Sequence, residues 1–205
     1  MFRKILAAAI LVAITAQANT ALSNGDVAFT GFNADEDGWV ITTFKDIDAN
    51  TTIYFSDNTR TGSTFDTTES FHTWNTGASS ITAGTLILFS QIDAGPRSAS
   101  IGSFSGSGSN FGISAKSETI YAYLGSSQSA PNTCLTAVST ENDTACLTNA
   151  GLSAGFNAVK LTNSTDYAEY IGVRNGLSSF LADQSLVNDT MNQDFDPVHP
   201  TYTGY

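Results

Sequence analysis

Basic side chains are scarce in this chain: 8 Lys and Arg stand against 19 Asp and Glu. They form neither a basic patch nor an arginine-rich arm, so the counterion release that drives phosphate-backbone binding has no footprint, and nucleic acid is excluded as a partner. The same acidity repels anionic lipid. Histidine is nearly missing too. His72 and His199 lie far apart in sequence, which removes the usual four-ligand zinc site and leaves any histidine base resting on His72 alone. No G-x-S-x-G elbow occurs, since "GSFSG" at Gly102 to Gly106 puts phenylalanine where the nucleophile belongs. The glycine-rich "GSFSGSGSNFG" lacks a phosphate-loop lysine. Acids are plentiful enough to supply a glycosidase pair such as Asp57 with Glu69, but nothing in the sequence singles one out. The chain reads as non-enzymatic.

Long apolar runs are absent after residue 18, so no helical membrane span is expected in the mature chain. Ahead of that point "MFRK" supplies two positive charges, "ILAAAILVAIT" a short apolar run and "AQA" at Ala16 to Ala18 the small residues a signal peptidase reads. Residues 1–18 are expected to be a signal peptide, cut after Ala18, and the protein to be secreted or displayed at the cell surface. Cleavage removes Arg3 and Lys4 but no acid, moving the formal net charge from −11 to −13 and leaving 187 residues. That length buries a sizeable core in one domain. A surface so acidic favours cations, neutral glycans or other proteins.

Cysteine occurs twice, at Cys134 and Cys146 in "NTCLTAVSTENDTACLT". In an exported chain an even pair at short separation implies one disulfide, here closing a loop around the turn-prone "TENDT".

Proline is rare, with 4 against 17 glycines, and the chain is instead built of short β-branched and aromatic runs punctuated by turns. "DVAFTGF", "WVITTFK", "TTIYFSD", "TLILFSQ", "SASIGSF", "ETIYAYLG", "CLTAV", "NAVKL" and "AEYIGV" read as strands. Val27, Phe29 and Gly31 alternate with Asp26, Ala28 and Thr30, and Ile53 and Phe55 with Thr52, Tyr54 and Ser56, the period of a half-buried antiparallel strand. The expected fold is mainly β, an antiparallel immunoglobulin-like β-sandwich over residues 19–188. One segment changes period: Leu177, Phe180, Leu181 and Val187 recur at helical spacing after Asn175, predicting one short C-terminal helix. Residues 189–205 read as an extended tail, with Pro197 and Pro200.

A wider likeness rests on four stretches: "GDVAFTGFNADEDGWVITTFKDIDANTTIYFSDN", "ESFHTWNTGASSITAGTLILFS", "FGISAKSETIYAYLG" and "GLSAGFNAVKLTNSTDYAEYIGVRNGLSSFLA". Over residues 25–182 they resemble an uncharacterised group of secreted bacterial surface domains. The middle, with "AGT" before an apolar strand, is distantly similar to lamin-tail domains, which are immunoglobulin-like. The resemblance implies a sandwich fold and an extracellular setting, and transfers no catalytic residue.

Two candidate sites follow. "NADEDG" at Asn33 to Gly38 matches the start of a calcium loop, with oxygens at Asn33, Asp35 and Asp37. Its twelfth position is Phe44 rather than glutamate, which excludes an EF-hand, so calcium as a cofactor needs further oxygens from Asp46, Asp48, Asp57 or Asn58 on neighbouring turns. Trp39 and Trp74, with Tyr54, Tyr121 and Tyr123, are candidate stacking surfaces for sugar. The function expected from the sequence is a secreted structural or adhesive surface module, stabilised by calcium and self-assembling into an extracellular matrix polymer through residues 19–26 or the tail from Phe195. The alternative is a calcium-dependent glycan-binding module. The partners expected are further copies of itself, or a surface glycan or protein.

Overall fold

The structure is a computed structural model that describes residues 21–171 and 193–195. Two six-stranded sheets face each other. One runs β14 (Gln193–Phe195), β13 (Tyr167–Tyr170), β1 (Val27–Asn33), β2 (Gly38–Thr43), β7 (Leu86–Ser90), β8 (Ser98–Ala99). The other runs β12 (Val159–Lys160), β11 (Ala130–Ser139), β10 (Thr119–Ser127), β3 (Thr52–Ser56), β6 (Ser70–Asn75), β9 (Ser103–Gly108). All neighbours are antiparallel except β11 and β12. A small hairpin, β4 (Arg60–Thr61) with β5 (Thr64–Phe65), and one five-residue helix, α1 (Ala145–Asn149), complete the described elements.

The alternation read in the sequence holds on β3 as far as Phe55, with Ile53 and Phe55 buried and Thr52 and Tyr54 half-buried, but Ser56, read as outward, is buried too. On β1 it breaks. The register with β2 slips between Phe29 and Gly31, so Thr30 is an extra residue and Phe32, not Gly31, rejoins Val27 and Phe29 in the core. Between the sheets Phe29, Trp39, Phe55, Trp74, Phe89 and Phe104 form one aromatic cluster, with Phe55 and Phe104 each about 4.9 Å from Phe89 between ring centroids. Burial of such rings supplies most of the apolar driving force.

β10 and β11 are buried on both faces. Ile120, Ala122, Leu135 and Val138 enter the main core, while Tyr121, Tyr123, Cys134 and Ala137 join Phe65, Phe71 and Leu147 in a second cluster under the β4–β5 hairpin and α1. The disulfide expected between Cys134 and Cys146 is not formed; both thiols are free. Cys134 lies on β11 and takes a hydrogen bond from Arg60 Nη1 (2.8 Å). Cys146, the second residue of α1, lies beside Ser139, five residues further along β11 than Cys134, with its sulfur 3.6 Å from Ser139 Oγ. At the strand rise that separation is on the order of 15 Å, beyond the reach of a disulfide, whose Cα atoms sit within about 7 Å.

The C-terminal helix expected around Leu177, and the signal peptide, lie outside the described residues. The tail does contribute: Gln193–Phe195 adds β14 to the edge of the first sheet, opposite Ala168 to Tyr170. Residues 21–26, suspected of crossing to another copy, are tied to their own domain. Gly25 donates its N–H to Leu135 O (2.7 Å), and Asn24 Nδ2 reaches Cys134 O and Gly151 O.

Candidate functional site

Sheet register gathers three acids at one pole. Asp57 follows the last residue of β3, Glu69 precedes the first of β6, and Glu118 precedes the first of β10. Since β3 lies between β6 and β10 and runs antiparallel to both, with Ser56 opposite Phe71 and Tyr121, those three strand ends coincide. With Glu141 and Asp143 beyond the end of β11, and with Arg60 and Lys116, they line an open cleft of about 530 Å³.

Asp57 and Glu118 are each held by neighbouring residues. Asp57 Oδ1 accepts the Ser70 N–H at 3.0 Å, and Ser70 Oγ lies 3.0 Å from both carboxylate oxygens. Glu118 accepts N–H groups from Ser114 and Thr119, both at 3.1 Å. Asn58, fully buried, locks the β3–β6 connection: its Nδ2 donates to Ser70 O (2.8 Å) and its Oδ1 accepts the Glu69 N–H (2.8 Å). Gly108 lets β9 pass under this turn, because a Cβ there would lie 2.5 Å from Glu69 O.

Burial and mutual repulsion keep these carboxyls protonated longer than usual. Desolvation pushes Asp57 up to about 6, against the hydrogen bonds from Ser70 and with help from Glu69. It pushes Glu118 up to about 8, with Asp57 and Glu69 adding to the rise. Glu69 is raised by burial and by Asp66. Burial thus makes each of these carboxyls harder to ionise than in water, Glu118 most of all.

Behind the cleft floor, His72 on β6 is 2% exposed, stacked on Phe104 at 5.2 Å and edge-on to Trp39 at 5.6 Å. Desolvation, then the charge of Arg97, lowers it to about 4, so it is neutral. Arg97 itself lies over the Phe111 ring at 3.8 Å.

The sequence candidates are scattered. Asn33 spends its side-chain oxygen on the N–H groups of Asp35 and Glu36, and Asp37 Oδ1 accepts Ile113 N–H (2.6 Å). Asp46 Oδ1 accepts Ala83 N–H (2.8 Å), and Asp48 sits in the following turn, the length of β2 (about 20 Å) from Asp37. Asp57 belongs to the cleft on the other sheet. Among the described residues no three His, Cys, Asp or Glu side chains are grouped to hold a metal ion. Trp39 and Trp74 are 2% and 0% exposed, with Trp74 Nε1 bonded to Ile101 O (2.7 Å), so their faces are spent in the core and offer no platform for a sugar. Tyr121 and Tyr123 pack on Phe65. Asp57 and Glu69 stood in the sequence as one acid pair among many, with nothing to single it out. Glu118 was missed, since its only signal is a carboxyl just before a strand, which many solvated turns share.

No family model, curated protein or solved structure matches the chain. Its function is therefore argued from this geometry.

Proposed function

We propose that the chain is a secreted, non-enzymatic adhesive module that takes a neutral, hydroxyl-rich surface ligand, a glycan, in the cleft of Asp57, Glu69 and Glu118. The observation that carries this reading is the cleft itself: about 530 Å³, open, and lined by carboxylates, hydroxyls and amides with Arg60 and Lys116 among them. Sugar hydroxyls donate and accept together, and a lining of mixed donors and acceptors complements them, whereas an apolar ligand would find little to cover it. The pattern of residues 1–18 supports export. Raised carboxyl groups in a cleft are also a feature of hydrolases, but structural networks produce them equally, and here both Asp57 and Glu118 take hydrogen bonds from neighbouring turns.

Calorimetric titration of the mature protein with neutral oligosaccharides tests the reading, in EDTA and again in millimolar calcium. Saturable binding that Glu69→Gln or Lys116→Ala weakens is the expected result, without release of reducing ends. Cleavage of the sugar would make the protein a hydrolase, and no binding to any oligosaccharide in either buffer would overturn the proposal.

A second reading, self-assembly, is favoured by β9. Its residues Ser103–Gly108 are half to fully exposed, and among the described residues it pairs with β6 alone. Such an edge accepts a strand from another copy. Sedimentation over a wide concentration range reads it: growth in size supports assembly, and a monomer throughout removes it.

A further inference from the structure

A sheet edge is a row of unpaired N–H and C=O groups, and folded chains shorten it, charge it, bend it or cover it. Of the four edges that the two six-stranded sheets show among the described residues, three are short: β8 and β12 hold two residues each and β14 three. β9 is the exception. All six of its residues, Ser103–Gly108, pair with β6 in unbroken register, and among the described residues no strand pairs on its other side. Its sequence, SFSGSG, carries no charge and no proline, so the usual guards of an edge are missing.

The edge itself restricts what can add to it. A foreign peptide that joins a sheet is chosen by pockets for its alternate side chains, but the exposed side chains of β9 are the small hydroxyls of Ser103, Ser105 and Ser107. Such a row complements its own kind, since serines opposite each other across a strand pair both donate and accept. Geometry then sets the register. In an antiparallel strand the backbone groups of alternate residues face the same side, so a β9 residue facing away from β6 must meet a like residue of the copy, and a two-fold axis passes through a residue rather than between two. Gly102 and Gly108 take left-handed φ of +79° and +101°, which leaves Ser103–Ser107 as the extended stretch and Ser105 as its middle.

Charge sets the direction. The Gly108 end of β9 lies at the acid pole, where Ser109 donates its N–H to Glu69 O (3.4 Å), and Ser103, opposite Asn75, is the far end. In a chain of formal net charge −11, parallel pairing would bring two acid poles together. Antiparallel pairing sets them at opposite ends.

We infer that β9 is the contact between two copies of this chain: it pairs antiparallel with the same strand of a second copy across a two-fold axis at Ser105, joining two six-stranded sheets into one continuous sheet. Ser103 then lies opposite the partner's Ser107. The inference rests on the self-assembly reading and gives it a surface, a register and a limit. A two-fold contact closes on itself, so β9 alone makes dimers and not fibres.

Cysteine crosslinking with an added oxidant, beside sedimentation of the same proteins, tests it. Ser105→Cys should give a covalent dimer on a denaturing gel, because residues paired across antiparallel strands have Cα atoms about 4.5–5.5 Å apart, within disulfide reach. Ser103→Cys alone should stay uncrosslinked, whereas Ser103→Cys mixed with Ser107→Cys should crosslink. Wild-type protein, with Cys134 and Cys146, is oxidised alongside and should give no covalent dimer. Ser105→Lys, which sets like charges face to face, should raise the dimer's dissociation constant several-fold while its unfolding midpoint stays in place. A wild-type protein that remains monomeric at every concentration removes the assembly reading and this inference together. A dimer that persists in Ser105→Lys and leaves Ser105→Cys uncrosslinked overturns the β9 contact alone, and crosslinking of Ser103→Cys by itself overturns the axis at Ser105.

Discussion

Ser70 grips Asp57 twice, through its backbone N–H and its hydroxyl, each at 3.0 Å. Both bonds favour the ionised carboxylate and oppose the burial that raises it. Ser70→Ala removes the hydroxyl, so the Asp57 carboxyl should titrate above its present value of about 6, as read by ¹³C shifts against pH. The loss should also destabilise the fold by about 1–3 kcal/mol in urea unfolding.

Glu118 gives stability a pH slope of unusual sign. Its folded value is raised from 4.5 to about 8, so between those limits the folded state binds more protons than the unfolded one. Stability is then greatest below about pH 4.5 for this group and falls as pH rises towards 8. Asp57 contributes in the same direction between 3.8 and about 6. His72, lowered from 6.5 to about 4, opposes them by losing stability as pH falls through that window. In Glu118→Gln the decline between pH 6 and 8 should flatten, measured by urea midpoints at each pH. An unchanged slope would mean that Glu118 ionises normally.

The free thiols make the protein indifferent to reductant. Thermal unfolding with and without a thiol reductant should give the same midpoint, and the denatured chain should react with two equivalents of a thiol reagent before any reduction. A midpoint that drops on reduction would show the Cys134–Cys146 bridge after all.

Trp74 and Gly102 meet at the β6 end of the core. Gly102 has φ +79°, and a Cβ there would lie 2.1 Å from Asn75 O and 3.0 Å from Trp74 Nε1. Gly102→Ala should cost more than ~2 kcal/mol, from the left-handed backbone and the clash. Trp74→Ala, which empties a fully buried site, should cost about 3–5 kcal/mol. Denaturant unfolding measures both.

Strand identity was legible in the sequence because the period of two is set by local alternation, as at Ile53 and Phe55. The bulge at Thr30 was not, since nothing in "VAFTGFN" marks which residue is extra until β2 fixes the pairing. The helix described at Ala145–Asn149 was not read in the sequence, since five residues are too few to show a periodic stripe. The candidate site was not singled out by the sequence. Asp57 and Glu69 stand twelve residues apart on a strand-turn-strand unit, but Glu118 joins them only through the β3–β10 register, a long-range pairing that no local pattern encodes. The acid-rich turns drew attention by composition, and in them Asn33, Asp37 and Asp46 proved to be bonded to backbone N–H groups.

The register that collects the acids at one pole also fixes which way the domain faces. β1 starts at Val27 and ends at Asn33, and the turn that follows it, through Asp37, touches Ile113 on the cleft side. The described chain thus enters at the far pole, about 20 Å along β1 from that turn. Ala21, where the described chain begins, lies at the back of the domain, away from the acid-lined pole.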